Sequence, residues 1–347
     1  MLPELCAGLV ILGVTAYAVF GSADFGAGFW DLTAGGAERG GRVRGMIQRS
    51  MSPVWEANHV WLIFVLVMVW TAFPVAFGSL MSTLSVPLFL AALGVIFRGM
   101  AFALRGQAAT INEARVLGAV FALSSVLIPF FFGAAIGGVA SGRVPVGNAA
   151  GDLITSWLNP TSIAIGVVAI LTGAHLAAVF LTGDAKRAEL PDMVAAFRTR
   201  AVASGITAGG AALITLFVVR SDARALYDGL TSGDGLIAVA VSALAGVLTI
   251  ALVATGRFGP ARFAAAAAVG AMTIGWALAQ DPYILPGQLT LDEAAASDTT
   301  LIALTVSVGL GMLVLVPSLW WLYHLVLRGT LDQDYEPLDQ RFKPVDS

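Results

Sequence analysis

Nine long apolar blocks constrain the fold of this chain more than any other feature of its sequence. Each block holds about 20 residues or more, the length of helix that crosses roughly 30 Å of hydrocarbon. Hydrophobic residues make up 58% of the 347 residues and charged residues only 12%, far from the composition of a soluble domain. The blocks are continuous and do not alternate with a period of two, which argues against a transmembrane β-barrel. We therefore predict an all-α, polytopic membrane protein.

The nine predicted transmembrane helices form a single membrane domain, residues 1–347, of two four-helix bundles plus one peripheral helix. The second and third blocks are separated only near Gly78, but about 45 residues is too long for one crossing, which favours two. The predicted spans are 5–30, 59–78, 80–104, 114–137, 160–182, 201–220, 234–255, 261–281 and 300–327.

The basic residues predict the orientation of the chain. With nine spans, all but three of the 19 Lys and Arg residues fall on one side of the membrane, and the exceptions are Arg143, Arg220 and Arg224. Basic residues concentrate in cytoplasmic loops, so we expect the N-terminus outside and the C-terminus in the cytoplasm. The start, Met1-Leu2-Pro3-Glu4, lacks the basic region of a cleaved signal peptide, and we expect a retained first helix.

The connections between spans carry few signals of chemistry. Those near 33–50, 138–159 and 282–299 are rich in Gly, Ser, Ala and Pro and predict surface turns that include one short helix. The single cysteine, Cys6, excludes an internal disulfide and a cysteine-ligated metal site. The chain has no nucleotide-binding loop and no HExxH or CxxC motif, and we expect neither nucleotide hydrolysis nor a nucleic-acid partner.

A cluster of polar and aromatic residues, Trp55 to His59, stands at the start of the second span. Ionisable residues at membrane depth pair with one another or line a path for ions or protons. The topology places Asp24, Glu56 and Arg98 toward the cytoplasmic face, within reach of one another. Together with hydrogen-bonding neighbours they form a candidate proton path from the cytoplasm, the neighbours being Ser22, Asn58 and His59.

Simpler interpretations of these residues stay open. Asp24 or Glu56 can neutralise Arg98 in a structural ion pair, or lie in the headgroup zone in contact with water. Arg105 and the arginines between residues 39 and 49 are best explained as interfacial anchors. The histidines, which are His59, His175 and His324, are candidate haem ligands, although a buried hydrogen-bonded histidine is the commoner case.

Three motifs resemble subunit II of cytochrome bd-type quinol oxidases. The most specific is the tryptophan-acid-x-asparagine segment followed by Val-Trp-Leu. The motifs are Ser22-Ala23-Asp24-Phe25-Gly26-Ala27-Gly28, Ser52-Pro53-Val54-Trp55-Glu56-Ala57-Asn58-His59-Val60-Trp61-Leu62-Ile63 and Phe97-Arg98-Gly99-Met100-Ala101-Phe102. Weaker similarity extends the resemblance over most of the chain.

The resemblance implies a nine-helix subunit of a bacterial plasma-membrane complex that carries no haem itself. It implies a larger haem-bearing subunit I with two b-type haems and a d-type haem, where quinol is oxidised and oxygen is reduced to water. Small single-helix accessory subunits, bound quinone and lipids are further expected partners. By motif, Glu56 matches an acidic position associated with proton uptake, Asp24 and Arg98 match an acid and an arginine of a polar route, and Trp55 stands beside them.

Two departures from the family pattern stand out. His59 occupies a position where many members have glutamine, and Gly21 occupies one where a second acid is common. The sequence therefore does not favour a proton route that needs both acids. It favours Glu56 as the acid of the proton path. Two rival functions remain, a secondary transporter with a site formed by Asp24, Glu56 and Arg98, and a self-sufficient haem protein that uses the histidines.

Overall fold

The computed structural model describes residues 1–35, 37–51 and 55–328. Ser52, Pro53 and Val54 of the second motif lie outside these ranges, as does the C-terminus. In chain order the elements are α1 (Leu2–Leu32), α2 (Ala37–Met51), α3 (Trp55–Asn58), α4 (Val60–Ala72), α5 (Pro74–Thr83), α6 (Ser85–Arg105), α7 (Ile111–Ala140), α8 (Pro160–Arg187), α9 (Pro191–Asp222), α10 (Arg224–Leu230), α11 (Gly233–Ala254), α12 (Phe258–Gln280), β1 (Tyr283–Leu285), β2 (Leu289–Thr290), α13 (Leu291–Ala294) and α14 (Asp298–Leu327).

The prediction of nine spans is confirmed for the described part of the chain. Nine helical segments there are long and apolar enough to cross a membrane. Eight of them form two groups. The N-terminal group contains α1, α4, α6 and α7, and the C-terminal group contains α8, α9, α11 and α12. The groups meet where α1 and α7 pack against α8, while α14 lies at the edge against α1 and α4.

A close glycine contact joins the two groups. A Cβ atom on Gly26 of α1 would lie 1.8 Å from the carbonyl oxygen of Gly173 on α8. Only hydrogen fits between the two backbones at this point, as at other contacts of small residues between membrane helices. The indole Nε1 of Trp30 adds a 2.8 Å hydrogen bond to the carbonyl of Ala174. This contact holds α1 beside α8 near the middle of the latter helix.

The second span differs most from its predicted boundaries. Its membrane-spanning part is Trp55–Ala72, and the residues that follow form the separate helix α5. Phe73 leaves the helical conformation (φ −134°, ψ 62°) and Pro74 begins α5, because proline cannot donate the next helical hydrogen bond. The loop after α7 holds α5 in place, since the amides of Gly147 and Ala149 donate to the hydroxyls of Ser79 and Ser82, each at 2.9 Å.

Two connections contain more structure than predicted. The first holds α2, a 15-residue helix whose buried residues Val43, Met46 and Ile47 pack on α1 and α8. The connection before α14 holds an antiparallel strand pair, β1 and β2, followed by α13 with a capping box between Thr290 and Glu293. The strand pair has only five residues, too few to produce a recognisable alternation in the sequence.

Consecutive spans alternate in direction, so α1, α6, α8, α11 and α14 end where α4, α7, α9 and α12 begin. We call this the basic end, because several arginines lie there, including Arg44, Arg105, Arg187, Arg198 and Arg262. That the basic end faces the cytoplasm stays a prediction based on charge.

Candidate functional site

An ion pair is buried where α1, α6 and α7 meet. Arg98 Nη2 lies 2.8 Å from Asp24 Oδ1, and the side chains are 1% and 0% exposed. Arg98 Nε donates to Ser125 Oγ at 3.0 Å, and that hydroxyl donates to the carbonyl of Phe121 at 2.7 Å. The guanidinium also lies over the rings of Phe25 and Phe121, 5.4 and 4.9 Å from their centres. Arg98 therefore connects all three helices.

The ion pair lies inside the bundle, about two helical turns from the basic end. α1 continues eight residues beyond Asp24 to Leu32, and α6 continues seven residues beyond Arg98 to Arg105. Ser125, which contacts Arg98, stands at the middle of the 30-residue helix α7. The charges thus lie within the apolar spans, where isolated charges are costly.

Each partner of the ion pair has one atom without a hydrogen bond in the described part of the chain. Asp24 Oδ2 and Arg98 Nη1 are buried without a partner among the described residues. Buried polar atoms are paired in the large majority of cases, so each exception needs a physical explanation, such as ordered water or a role in chemistry. A carboxylate with one free oxygen inside a membrane protein has the capacity to accept a proton.

Two tyrosines that the sequence did not single out join this region. The hydroxyl of Tyr17 lies 3.4 Å from His59 Nδ1, and the hydroxyl of Tyr323 on α14 donates to Asn58 Oδ1 at 3.1 Å. Tyr17 stands seven residues before Asp24, two turns along the same helix face, and this spacing is a signal that was available in the sequence. For Tyr323, nothing in the sequence pointed to Asn58.

Glu56 and Trp55 lie away from the ion pair. Trp55 packs against Phe102, with 5.3 Å between ring centres, and lies beside Gly99 on the helix of Arg98. Glu56 is exposed, and within the described ranges its carboxylate makes no hydrogen bond or ion pair. The structure therefore joins Asp24 to Arg98 but brings neither into contact with Glu56. Ser22 has no side-chain hydrogen bond to this cluster among those described.

A second carboxylate, Asp31, binds two arginines near the basic end. Its Oδ1 lies 2.9 Å from Arg44 Nε and its Oδ2 lies 2.6 Å from Arg105 Nη1. Arg105 is only 7% exposed. The interpretation as an interfacial anchor is therefore wrong for Arg105, whereas Arg44 is partly exposed at the same end. Asp31 binds both side chains and connects α1, α2 and α6.

The other histidines have local partners. His175 Nδ1 lies 3.0 Å from the carbonyl of Ala201, and a Cβ atom on Gly205 would lie 2.8 Å from the same ring. His324 stacks on Trp320 near the end of α14, with 5.2 Å between ring centres. His175 therefore packs between α8 and α9, with its Nδ1 occupied by a local contact.

Comparison with known proteins identifies the family. The family described as "Cytochrome bd terminal oxidase subunit II" matches residues 2–326, nearly the whole chain. The chain belongs to this family. It is 22% identical over 330 residues to the "Putative cytochrome bd menaquinol oxidase subunit II" of Bacillus subtilis, covering 91% of this chain and 92% of the relative. It is also 30% identical over 110 residues to the "Cytochrome bd ubiquinol oxidase subunit 2" of that organism, or 32% of each chain.

A solved structure agrees with this assignment. A chain of the bd oxidase from Geobacillus thermodenitrificans superposes with a TM-score of 0.73 and 26% identity, covering 94% of this chain and 98% of the other. The resemblance inferred from the motifs is confirmed. The chain is a multi-pass subunit of a bd-type quinol oxidase in the bacterial membrane, an oxidoreductase complex of several subunits that contains haem.

Proposed function

We propose that this bd oxidase subunit delivers protons from the cytoplasm to the oxygen-reducing site of a haem-bearing partner subunit, and that it also scaffolds that partner. The observation that carries the proposal is the buried Asp24–Arg98 pair, in which one oxygen and one nitrogen have no partner among the described residues. Reduction of oxygen to water consumes protons, and these must cross the low-dielectric interior through groups able to bind and release them.

The residues have different roles in this proposal. Glu56, exposed on the short helix α3, takes up protons, and Asn58 and His59 follow it toward the interior. Asp24 receives a proton on Oδ2, while Arg98 compensates its negative charge through Oδ1. Trp55 packs beside this route and shields it from lipid.

A purely structural ion pair explains these contacts less well. Two buried charges cost several kcal/mol each in desolvation, and an apolar replacement of similar volume is often neutral or stabilising. A guanidinium nitrogen without a partner also occurs at Arg262, but Asp24 Oδ2 is the one buried carboxylate oxygen that lacks a partner among the described residues. A pair kept only for stability is expected to satisfy both oxygens of its carboxylate.

The proposed partner subunit holds the cofactors of the complex. Two b-type haems and a d-type haem belong to subunit I in this proposal, and none to this chain. Small single-helix subunits, quinone and lipids occupy further surfaces. Residues 1–347 act as one membrane domain with the N-terminus outside and the C-terminus in the cytoplasm.

The test is Glu56→Gln in the assembled complex, with oxygen consumption measured per haem. Because the variant removes the titrating group but keeps its size, we expect oxygen consumption to fall by about 100-fold or more, the usual contribution of a positioned proton-transfer group. The matched control is Glu189→Gln, which removes the same charge from another exposed glutamate at the basic end. Full activity of Glu56→Gln with unchanged haem spectra would exclude its role in proton uptake.

A further inference from the structure

Tyr17 occupies space that a side chain at position 21 would otherwise fill. A Cβ atom on Gly21 would lie 2.9 Å from Tyr17 Cε2 and 3.0 Å from Cδ2. The ring therefore lies along α1 over Gly21, in the direction of Asp24. Because Gly21 has no side chain, Tyr17 can place its hydroxyl inside the N-terminal group.

Aromatic neighbours and His59 fix the Tyr17 ring in this position. Phe25 and Phe132 contact it edge to face, with ring centres 6.1 and 6.0 Å away. Its hydroxyl lies 3.4 Å from His59 Nδ1. Such a contact decides which ring nitrogen of a neutral histidine carries the proton and how the ring is oriented.

The groups around His59 are those that a proton relay needs. On α1, Tyr17 stands two helical turns before Asp24, and the ring of Phe25 lies 6.0 Å from the His59 ring and 5.4 Å from Arg98 Cζ on α6. On α14, Tyr323 bonds the adjacent Asn58. In the proposed route His59, three residues after the exposed Glu56, comes between that carboxylate and the buried pair.

We propose that Tyr17 is a positioning residue for proton transfer, which acts by orienting His59 so that one nitrogen stays bound to the Tyr17 hydroxyl and the other faces incoming protons. This inference rests on the proposed function of the subunit. In this proposal Tyr17 transfers no proton itself, whereas His59 takes part in the proton transfer.

The first experiment is Tyr17→Phe in the assembled oxidase. The variant keeps the ring and removes only the hydroxyl, so we expect oxygen consumption per haem to fall roughly 2- to 10-fold, the equivalent of one net hydrogen bond. We also expect a larger solvent deuterium isotope effect on turnover, because proton transfer limits the rate more strongly. Tyr227→Phe is the matched control, since Tyr227 on α10 lies at the opposite end of the bundle.

A double variant separates positioning from a general structural effect. In a His59→Gln background, Tyr17→Phe should cause no additional loss, because the group through which it acts is gone. An equal, additive loss in that background would overturn the inference. So would a Tyr17→Phe enzyme with unchanged rate and isotope effect.

Gly21→Ala offers a second approach that keeps the hydroxyl. The added methyl group displaces the Tyr17 ring, and we expect the same rise in isotope effect, whereas Gly8→Ala, with open space around it, should change nothing. If Glu56→Gln and Asp24→Asn both retain full activity, the proposed function itself fails. If they lose activity while the Tyr17 and Gly21 variants do not, only the role of Tyr17 fails.

Discussion

The two helix groups treat buried polar residues differently. In the C-terminal group the buried hydroxyls of Thr182, Thr249 and Thr273 donate to the carbonyl four residues earlier in their own helix. The N-terminal group instead buries Asp24 and Arg98, which bond to each other between helices and leave one Asp24 carboxylate oxygen without a partner among the described residues. The C-terminal group has its ion pairs near helix ends. These pairs join Asp184 to Arg262 and Asp222 to Arg143.

This difference distinguishes polar residues that only accompany helix packing from polar residues that suit a functional role. A hydroxyl that bonds within its own helix satisfies itself wherever the helix is placed, and it requires nothing of its neighbours. A charged pair buried inside the bundle is stable only when several helices supply its partners. The N-terminal group therefore contains the charged pair that depends on several helices. The C-terminal group packs against α1, and its described ion pairs lie near helix ends.

The largest expected effect comes from breaking the buried pair. Arg98→Met leaves the Asp24 carboxylate buried without its partner, and we expect a loss of about 3–5 kcal/mol in stability. The double variant Asp24→Leu, Arg98→Met has a neutral interior and should recover most of that stability while remaining slow in oxygen consumption. Thermal unfolding and haem retention of the complex measure the first effect. A double variant as unstable as the single one would contradict the comparison.

A much smaller effect is expected in the C-terminal group. Thr249→Val keeps the shape of a fully buried side chain and removes only its 2.7 Å bond to the carbonyl of Ala245. Polar contacts inside membrane proteins average about 0.6 kcal/mol, so we expect a change below roughly 1 kcal/mol and unaltered turnover. Thermal unfolding of the same complex measures this change in stability. A loss comparable to that of Arg98→Met would show that the two groups do not differ in this respect.

The smallest effect concerns the loop after α7, outside the spans. The amides of Thr155 and Ile154 donate to Asp152 Oδ1 at 2.6 and 2.8 Å, and these bonds lower the pKa of Asp152. The stabilisation of the loop by these two hydrogen bonds is thus present above the ordinary carboxyl pKa of about 4. It is lost as pH falls through the lowered pKa of Asp152. The hydrogen-exchange rates of the Ile154 and Thr155 amides, corrected for intrinsic rates, should rise only in that acidic range. Asp152→Asn should abolish the pH dependence.

The sequence was sufficient for features that depend on composition. Long apolar blocks define the nine spans, and Asp24 and Arg98 are conspicuous because they are charged residues inside those blocks. The break at Pro74 was less visible, because α5 is apolar enough to extend the predicted span. Hydropathy does not report where an apolar helix stops crossing the membrane.

Side-chain partners were the part that the sequence could not supply. Asp31 and Arg105 are 74 positions apart, and each stands near a span end where a solvated charge is ordinary. Only the packing of α1 against its neighbours makes them a buried pair. Tyr323 is 265 positions from Asn58 and belongs to a helix that looks like any other apolar span.

The peripheral position of α14 has a consequence for biogenesis. This helix is the last of the described spans to leave the ribosome, and the stacking of Tyr323 on Phe20 and its bond to Asn58 anchor it to helices inserted earlier. Until α14 arrives, the Asn58 carbonyl lacks the Tyr323 hydroxyl. The hydrogen bonds around Asn58 are therefore completed only after the eight preceding spans have been synthesised.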